Sequence, residues 1–477
     1  MGAVTLPLDE KESEQEELQG LREQLVSVDH RFAPSILLET NDDQIQISGA
    51  IRMSSTLYTL NNEKHVEKLK SAKQHHDILQ LHGLQVVGSS RQFLREYVFS
   101  IFQTKVLSVY RSKETSVWLS QSKKKQKVKR KTYVRVTDPD HDREIKRVQK
   151  VAVRALYATG LDYGMVTCGV GTSKKISIVQ VDPSPKLNED LERLFIKAVS
   201  DYRKNLRKSS TTLKPIMLGA DPEFIMVTPK GNLIVASKYF PIQGKIGCDA
   251  AWLGDNRSHK PIVELRPDPT SDPLRLSIRV YQCLLHAAKK VQHVQCKWLA
   301  GALPYPKYPI GGHVHFSGIE PSFQLLRALD NYLALPLVVC EDPRGKDRRP
   351  KYGFLGDYRM QEHGGFEYRT PPSWLITPVL TKGVLVLSKI IAGNFEQLMY
   401  NPLSDPDIQQ AYYDGNKAVL KEWIPDLWQD IKRLDDYEAY QNVIDEFFSF
   451  IQQGKTWDES ADLRKAWRLP PYHTKKR

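Results

Sequence analysis

Four short segments set charged or imidazole side chains two positions apart among apolar neighbours. They pair Asp221 with Glu223, Glu264 with Arg266, His313 with His315, and Glu367 with Arg369. On a β-strand, positions i and i+2 point to the same face. Carboxylates and imidazoles gathered on one inward face are costly unless they bind metal or pair with cations. The arginines among them point to a polyanionic ligand carrying its own metal ions. Singly, each pair has a plain structural reading: Asp221 could cap a turn, and Glu264 with Arg266 could be a surface ladder pair. Such pairs recurring within one sheet favour a site.

The elements that would position these residues follow from pattern. Residues 216–370 read as short strands separated by Gly, Pro and Asn turns, which implies antiparallel sheet, with Pro222 at an edge or a bulge. Helical periods are expected over 271–292, 322–339, 379–400 and most of 407–453. Before them, residues 33–206 read as a mixed α/β domain. It has a strand at 44–51, helices at 63–81, 90–102, 142–159 and 187–206, and strands at 165–170 and 176–181. The expected division is a polar helical segment (1–32), the α/β domain (33–206), a linker (207–215), a catalytic domain (216–455) and a C-terminal tail (456–477).

The 477 residues suffice for two or three cores. The net charge of +13 is partly local, concentrated in a cationic run from Lys123 to Lys131. No nucleic-acid signature accompanies that run, so it reads as a solvated loop, and a nucleic-acid partner is not expected. Five cysteines without CxxC spacing argue for reduced thiols, and no apolar leader opens the sequence. These features predict a cytoplasmic protein with no membrane span.

Five motifs in order carry a resemblance: Gly219-x-Asp-Pro-Glu-Phe224, Glu264-Leu-Arg-Pro267, Gly311-Gly-His-x-His-Phe316, Tyr352-Gly-x-x-Gly-x-Tyr-Arg359 and Glu367-Tyr-Arg-x-Pro-x-Ser-Trp374. Together they resemble the phage-type COOH.NH2 ligase type 2 amidoligases of the glutamine synthetase and glutamate–cysteine ligase superfamily. The resemblance implies an α+β fold with a curved antiparallel sheet and helices behind it. It also implies ATP-dependent joining of a carboxylate to an amine through an acyl phosphate, with Mg2+ or Mn2+. By the same resemblance Asp221, Glu223, Glu264, His313 and Glu367 are metal ligands, and His313 and His315 meet the nucleotide; Arg348, in a charged loop outside the motifs, is a further nucleotide candidate. Arg266 and Arg359 face phosphate or acyl phosphate, Arg369 faces phosphate or the substrate carboxylate, and Asp249 lies near the amine. Hard cations and phosphoryl oxygens suit carboxylates and arginines respectively. Cys248 reads as packing, and Arg344 and Arg349 as a charged loop. The expected partners are ATP, a carboxylate and an amine from an amino acid, peptide or protein side chain, with an oligomer left open. A weaker resemblance to an ATP-grasp domain covers 150–186. There Thr167, Cys168, Gln180 and Asp182 stand where that family has its magnesium acids, which implies a degenerate module. A cupin-type metal hydrolase or oxygenase, and a non-catalytic assembly protein, stay open as alternatives.

Overall fold

The computed structural model describes residues 4–6, 36–38, 58–88, 93–113, 132–211, 215–362 and 364–472. The helix expected before residue 28, the strand at 44–51 and the cationic run at 123–131 lie outside the described residues. The chain divides into two compact units, Met1–Leu213 and Lys214–Arg477.

In the first unit, β1 (Val4–Leu6) pairs in parallel with β2 (Ile36–Leu38), which pairs antiparallel with β3 (Tyr58–Leu60). A second sheet runs in the order β6-β5-β4-β7-β8 and is antiparallel throughout. Its strands are β4 (Arg95–Phe102), β5 (Lys105–Ser112), β6 (Tyr133–Arg135), β7 (Tyr163–Val170) and β8 (Ile176–Asp182). The helix Arg143–Ala158 starts where the Asp142 carboxylate accepts from the Glu144 and Ile145 amides, at 2.7 and 3.2 Å. It buries Ile145, Val148, Ala152 and Leu156. The helix expected over 90–102 is instead strand β4. Its polar residues at 96 and 100 give a helix-like spacing, but pairing on both edges and the burial of Tyr97, Phe99 and Ile101 along one face decide for strand. The expected 63–81 helix is two helices broken at Ser71, whose hydroxyl caps the second. The helix expected to stop at 206 runs on to Thr211, into the stretch expected as linker. No carboxylate stands at Thr167 or Gln180, which face each other across β7 and β8.

The second unit is built on an antiparallel sheet of order β10-β11-β9-β13-β15-β14, with β12 also paired to β9. The strands are β9 (Met217–Val227), β10 (Ile246–Cys248), β11 (Ile262–Leu265), β12 (Lys297–Leu299), β13 (Gly312–Ser317), β14 (Tyr358–Met360) and β15 (Phe366–Tyr368). The segment 232–236, expected as strand, is a single bridge at Leu233 followed by a 3-10 turn. Pro222 lies within β9, opposite Gly312, at the point where pairing with β11 stops after Glu223. The Glu223 amide donates to Gly311, so the Pro222 nitrogen points away from β13 and no ladder bond is lost.

One face of this sheet is apolar: Leu218, Ala220, Phe224, Met226, Val263, Val314, Phe316, Phe366 and Tyr368 are buried. Helices Pro273–Lys290 and Pro378–Asn394 pack on each other, and the first lies against β9 and β11. The stretch Phe323–Cys340 has the length and apolarity of a membrane span, but 89% of it is buried. It contains a π-helical turn at Asp330–Ala334, and Asp330 accepts from the Tyr368 hydroxyl at 2.6 Å, tying this helix to β15.

The segment expected as a tail is anchored by buried Trp457, Glu459, Leu463, Arg464, Trp467 and Leu469. The Glu459 carboxylate accepts from the Ala302 and Leu303 amides, and the Glu459 amide donates to Asp342 at 3.2 Å. Further on, Arg464 donates to the Cys296 carbonyl and the Trp467 indole to that of Leu375.

Backbone approaches closely at Gly312, whose carbonyl accepts from the Trp374 indole at 2.8 Å. A Cβ there would lie 2.5 Å from the indole and 2.7 Å from the Pro372 carbonyl oxygen. Gly312→Ala is therefore expected to cost about 1–3 kcal/mol through overpacking. A lower urea midpoint at unchanged m-value would record it.

Candidate active site

The second face of the sheet carries the charged residues. Register places His313 opposite Asp221, His315 opposite Gly219 and Glu367, Arg359 opposite Glu367, and Glu264 opposite Glu223. Directly paired residues share a face, so the i, i+2 pairs of β9, β11, β13 and β15 converge from four adjacent strands. Asp221, Glu223, Glu264 and Glu367 are all buried, Glu367 completely.

Imidazoles and guanidiniums interleave with these acids. His313 Nδ1 lies 3.1 Å from Asp221 Oδ1 and 3.1 Å from Glu367 Oε1, and His315 Nε2 lies 3.1 Å from Asp221 Oδ2. Glu367 Oε2 accepts from Arg359 Nε and from Gln361 Nε2, each at 2.8 Å, while Arg369 Nε stands 3.0 Å from Oε1. Arg266 pairs with Glu264 and also donates to the Ile242 and Cys248 carbonyls. Glu223 accepts from the Gly311 amide at 2.7 Å, and its own carbonyl accepts from Ser373.

These contacts shift the protonation of the buried groups in opposite directions. Burial pushes the Glu223 carboxyl up to about 8, with His313 opposing and Asp249 reinforcing the shift. Burial and the Asp221 charge push Glu264 up to about 7. Burial works against ionisation of Asp221 and Glu367 too, but the neighbouring His313 outweighs it and holds both low. Burial opposes the charged form of His313, yet Asp221 raises it to about 10, and His315 is raised by the same partner. Even so, Asp221 Oδ1 and Glu367 Oε1 are buried without a well-directed hydrogen bond. Ligand atoms of Asp221, His315 and Glu367 all lie within 4.8 Å of one another. Hard oxygens, an imidazole and orphaned carboxylate atoms fit a small divalent cation.

The family model for phage phiEco32-like COOH.NH2 ligase-type 2 proteins matches residues 218–469, more than half of the chain. The chain belongs to this family. No curated protein sequence matches the chain significantly. Similar solved structures include the complex of the prokaryotic ubiquitin-like protein Pup with its ligase PafA, at 9% identity and a TM-score of 0.35, covering 52% of this chain and 66% of that one. A bifunctional glutathione synthetase from Pasteurella multocida is 10% identical with a TM-score of 0.29, covering 56% of this chain and 49% of that one. GmaS without ligand is 12% identical with a TM-score of 0.29, covering 52% and 70%. The chain thus spans less than two thirds of the first two of these chains.

In this COOH.NH2 ligase family member a cavity of about 350 Å3 adjoins the charged face on its Glu223 side. Glu223, Asp249, His313, Arg348 and Arg369 line it. Asp249 also accepts from the Ala251 amide at 2.7 Å. Arg344 lies outside the cavity lining, paired with Asp342, and Arg349 is buried against Glu341 and the Tyr412 ring. The sequence gives no signal for Trp252, Lys307 and Tyr308, which also line the cavity with Tyr352 of the fourth motif. They come from loops without a repeating pattern. Gln361 was equally missed, although its place two residues after Arg359 on an edge strand could have suggested it.

The raised Glu223, Glu264 and His313 bind protons that the unfolded chain has released. The stability of the metal-free protein should therefore fall as pH rises from about 5 to about 9. Glu223→Gln should flatten the lower part of that fall. Mg2+ or Mn2+ must displace those protons, so it should raise the thermal midpoint more at pH 8 than at pH 6, and Glu367→Gln should lose this gain. Thermal melts across pH with and without metal would check all three.

Proposed function

We propose that the second unit is an ATP-dependent carboxylate–amine ligase that works through an acyl phosphate. One observation carries the reading: four buried carboxylates, two imidazoles and the guanidiniums of Arg359 and Arg369 meet on one sheet face with carboxylate oxygens still unsatisfied. That donor set suits a metal-bound triphosphate, and membership of a family named for joining carboxyl and amino groups agrees with it.

Asp221, His315 and Glu367 would hold one divalent cation, with Glu223 and Glu264 available to a second. Bound there, the cations would screen the phosphate oxygens and polarise the transferred phosphoryl group. Arg369 and Arg359, both anchored on Glu367, would orient and stabilise charge on the transferring oxygens. The substrate carboxylate oxygen attacks the terminal phosphorus and ADP departs. The amine nitrogen then attacks the acyl carbon, and phosphate leaves. Glu223 and Asp249 line the cavity where that amine would enter. A carboxylate there, when ionised, can take the proton the nitrogen sheds.

The test is phosphate release from ATP over a panel of carboxylates and amines, with mass spectrometry of the joined product. A loss of one water in that product, dependent on Mg2+ or Mn2+, is expected. Removing a transition-state donor commonly costs on the order of 100- to 1000-fold in kcat, and Arg369→Ala should fall in that range. Activity that needs metal but no nucleotide would defeat the reading.

A further inference from the structure

Arg348 is the anomaly of the cavity. It is 4% exposed, yet its guanidinium meets no carboxylate; it donates only to the carbonyls of Thr370, at 2.8 Å, Pro371, at 3.1 Å, and Arg369, at 3.5 Å. Its Nε is buried without a partner, as are Nε and Nη2 of Arg349. The two neighbours differ in their counter-charge. Arg349 is as deeply buried, and both oxygens of Glu341 lie within 3.0 Å of its Nη1. Backbone carbonyls orient a guanidinium but supply no net charge, so burial leaves Arg348 electrostatically unpaid.

The chain around it is shaped to keep it there. A Cβ on Gly353 would fall 1.9 Å from Arg348 Nη1, and Gly353 takes a φ of +66°, so glycine both makes room and permits the turn. Across the same cavity Lys307 lies at a φ of +70°, a region uncommon for a side chain of its type. Glu223 and Asp249 line the cavity as well. The space therefore presents the cations of Lys307, Arg348 and Arg369 and the imidazole of His313 with two acids, beside the indole of Trp252 and the ring of Tyr308. The Asp221, His315 and Glu367 cluster that would hold the phosphates does not line it.

We infer that the amine substrate is itself a zwitterion, an amino acid or the amino-terminal residue of a very short peptide, whose own carboxylate rests on Arg348 and Lys307 while its ammonium group faces Asp249. This rests on the ligase reading for the fate of the amine. It assigns Arg348 to substrate, where its charged loop suggested nucleotide. A cavity of about 350 Å3 accommodates a body of that size and leaves the aromatic rings to meet its side chain.

The experiment compares the common amino acids with their carboxamides as amine substrates of the full-length protein, by ATP-dependent phosphate release. At least one amino acid should exceed its carboxamide by tenfold or more in kcat/KM. Arg348→Gln should raise KM for that amino acid about tenfold or more, leave KM for ATP within twofold, and leave the carboxamide unchanged. Lys307→Gln, on an exposed position, should narrow the same gap without threatening the fold. Carboxamides used as well as amino acids, or an Arg348 variant that changes KM for ATP alone, would overturn the inference. If no pair consumes ATP, the ligase reading fails by itself. Calorimetric binding of amino acids against carboxamides to the nucleotide-free protein then decides the cavity, and equal or absent binding of both sets overturns the inference.

Discussion

Four carboxylates on one buried sheet face repel each other, and the rest of the second unit is arranged to make that arrangement bearable. The neighbouring imidazoles and guanidiniums neutralise Asp221 and Glu367, while Glu223 and Glu264 hold protons near neutrality. A group of this kind survives only if its members cannot move apart. The sheet supplies that rigidity through register, since each acid is fixed by the ladder to an imidazole or an acid on the next strand. The opposite face supplies the stability, because apolar side chains alternate with the charged ones and are covered by helices.

The two faces are thus coupled by the pleat. Tyr368 stands between Glu367 and Arg369 and points the other way, where its hydroxyl meets Asp330 inside a π-helical turn. Gly312 precedes His313 and lets Trp374 lie against the strand. A residue that looks purely structural in this unit therefore sets the height and angle of a charged neighbour one position away.

Much of this was legible because a period of two is unambiguous when the minority residues are charged. Asp221 with Glu223 and His313 with His315 announce their shared face in the sequence itself. The same rule misled at 90–102, where Glu96 and Ser100 mimic a helical face but are buried polar members of a central strand. Loop residues obey no period, so Trp252, Lys307 and Tyr308 could not be placed before the fold was known. Arg348 and Arg349 are neighbours of identical type, and only three-dimensional contacts distinguish the neutralised one from the one left without a counter-ion.

The stretch from Trp457 to Leu469 bears on how the unit is assembled. Its Glu459 joins Ala302 and Leu303, at the root of the loop that carries Lys307, to Asp342, at the root of the loop that carries Arg348. These ties come from a segment far away in sequence from both loops. Both sides of the cleft are thus held by one distant stretch, and displacing it would loosen the two loops together.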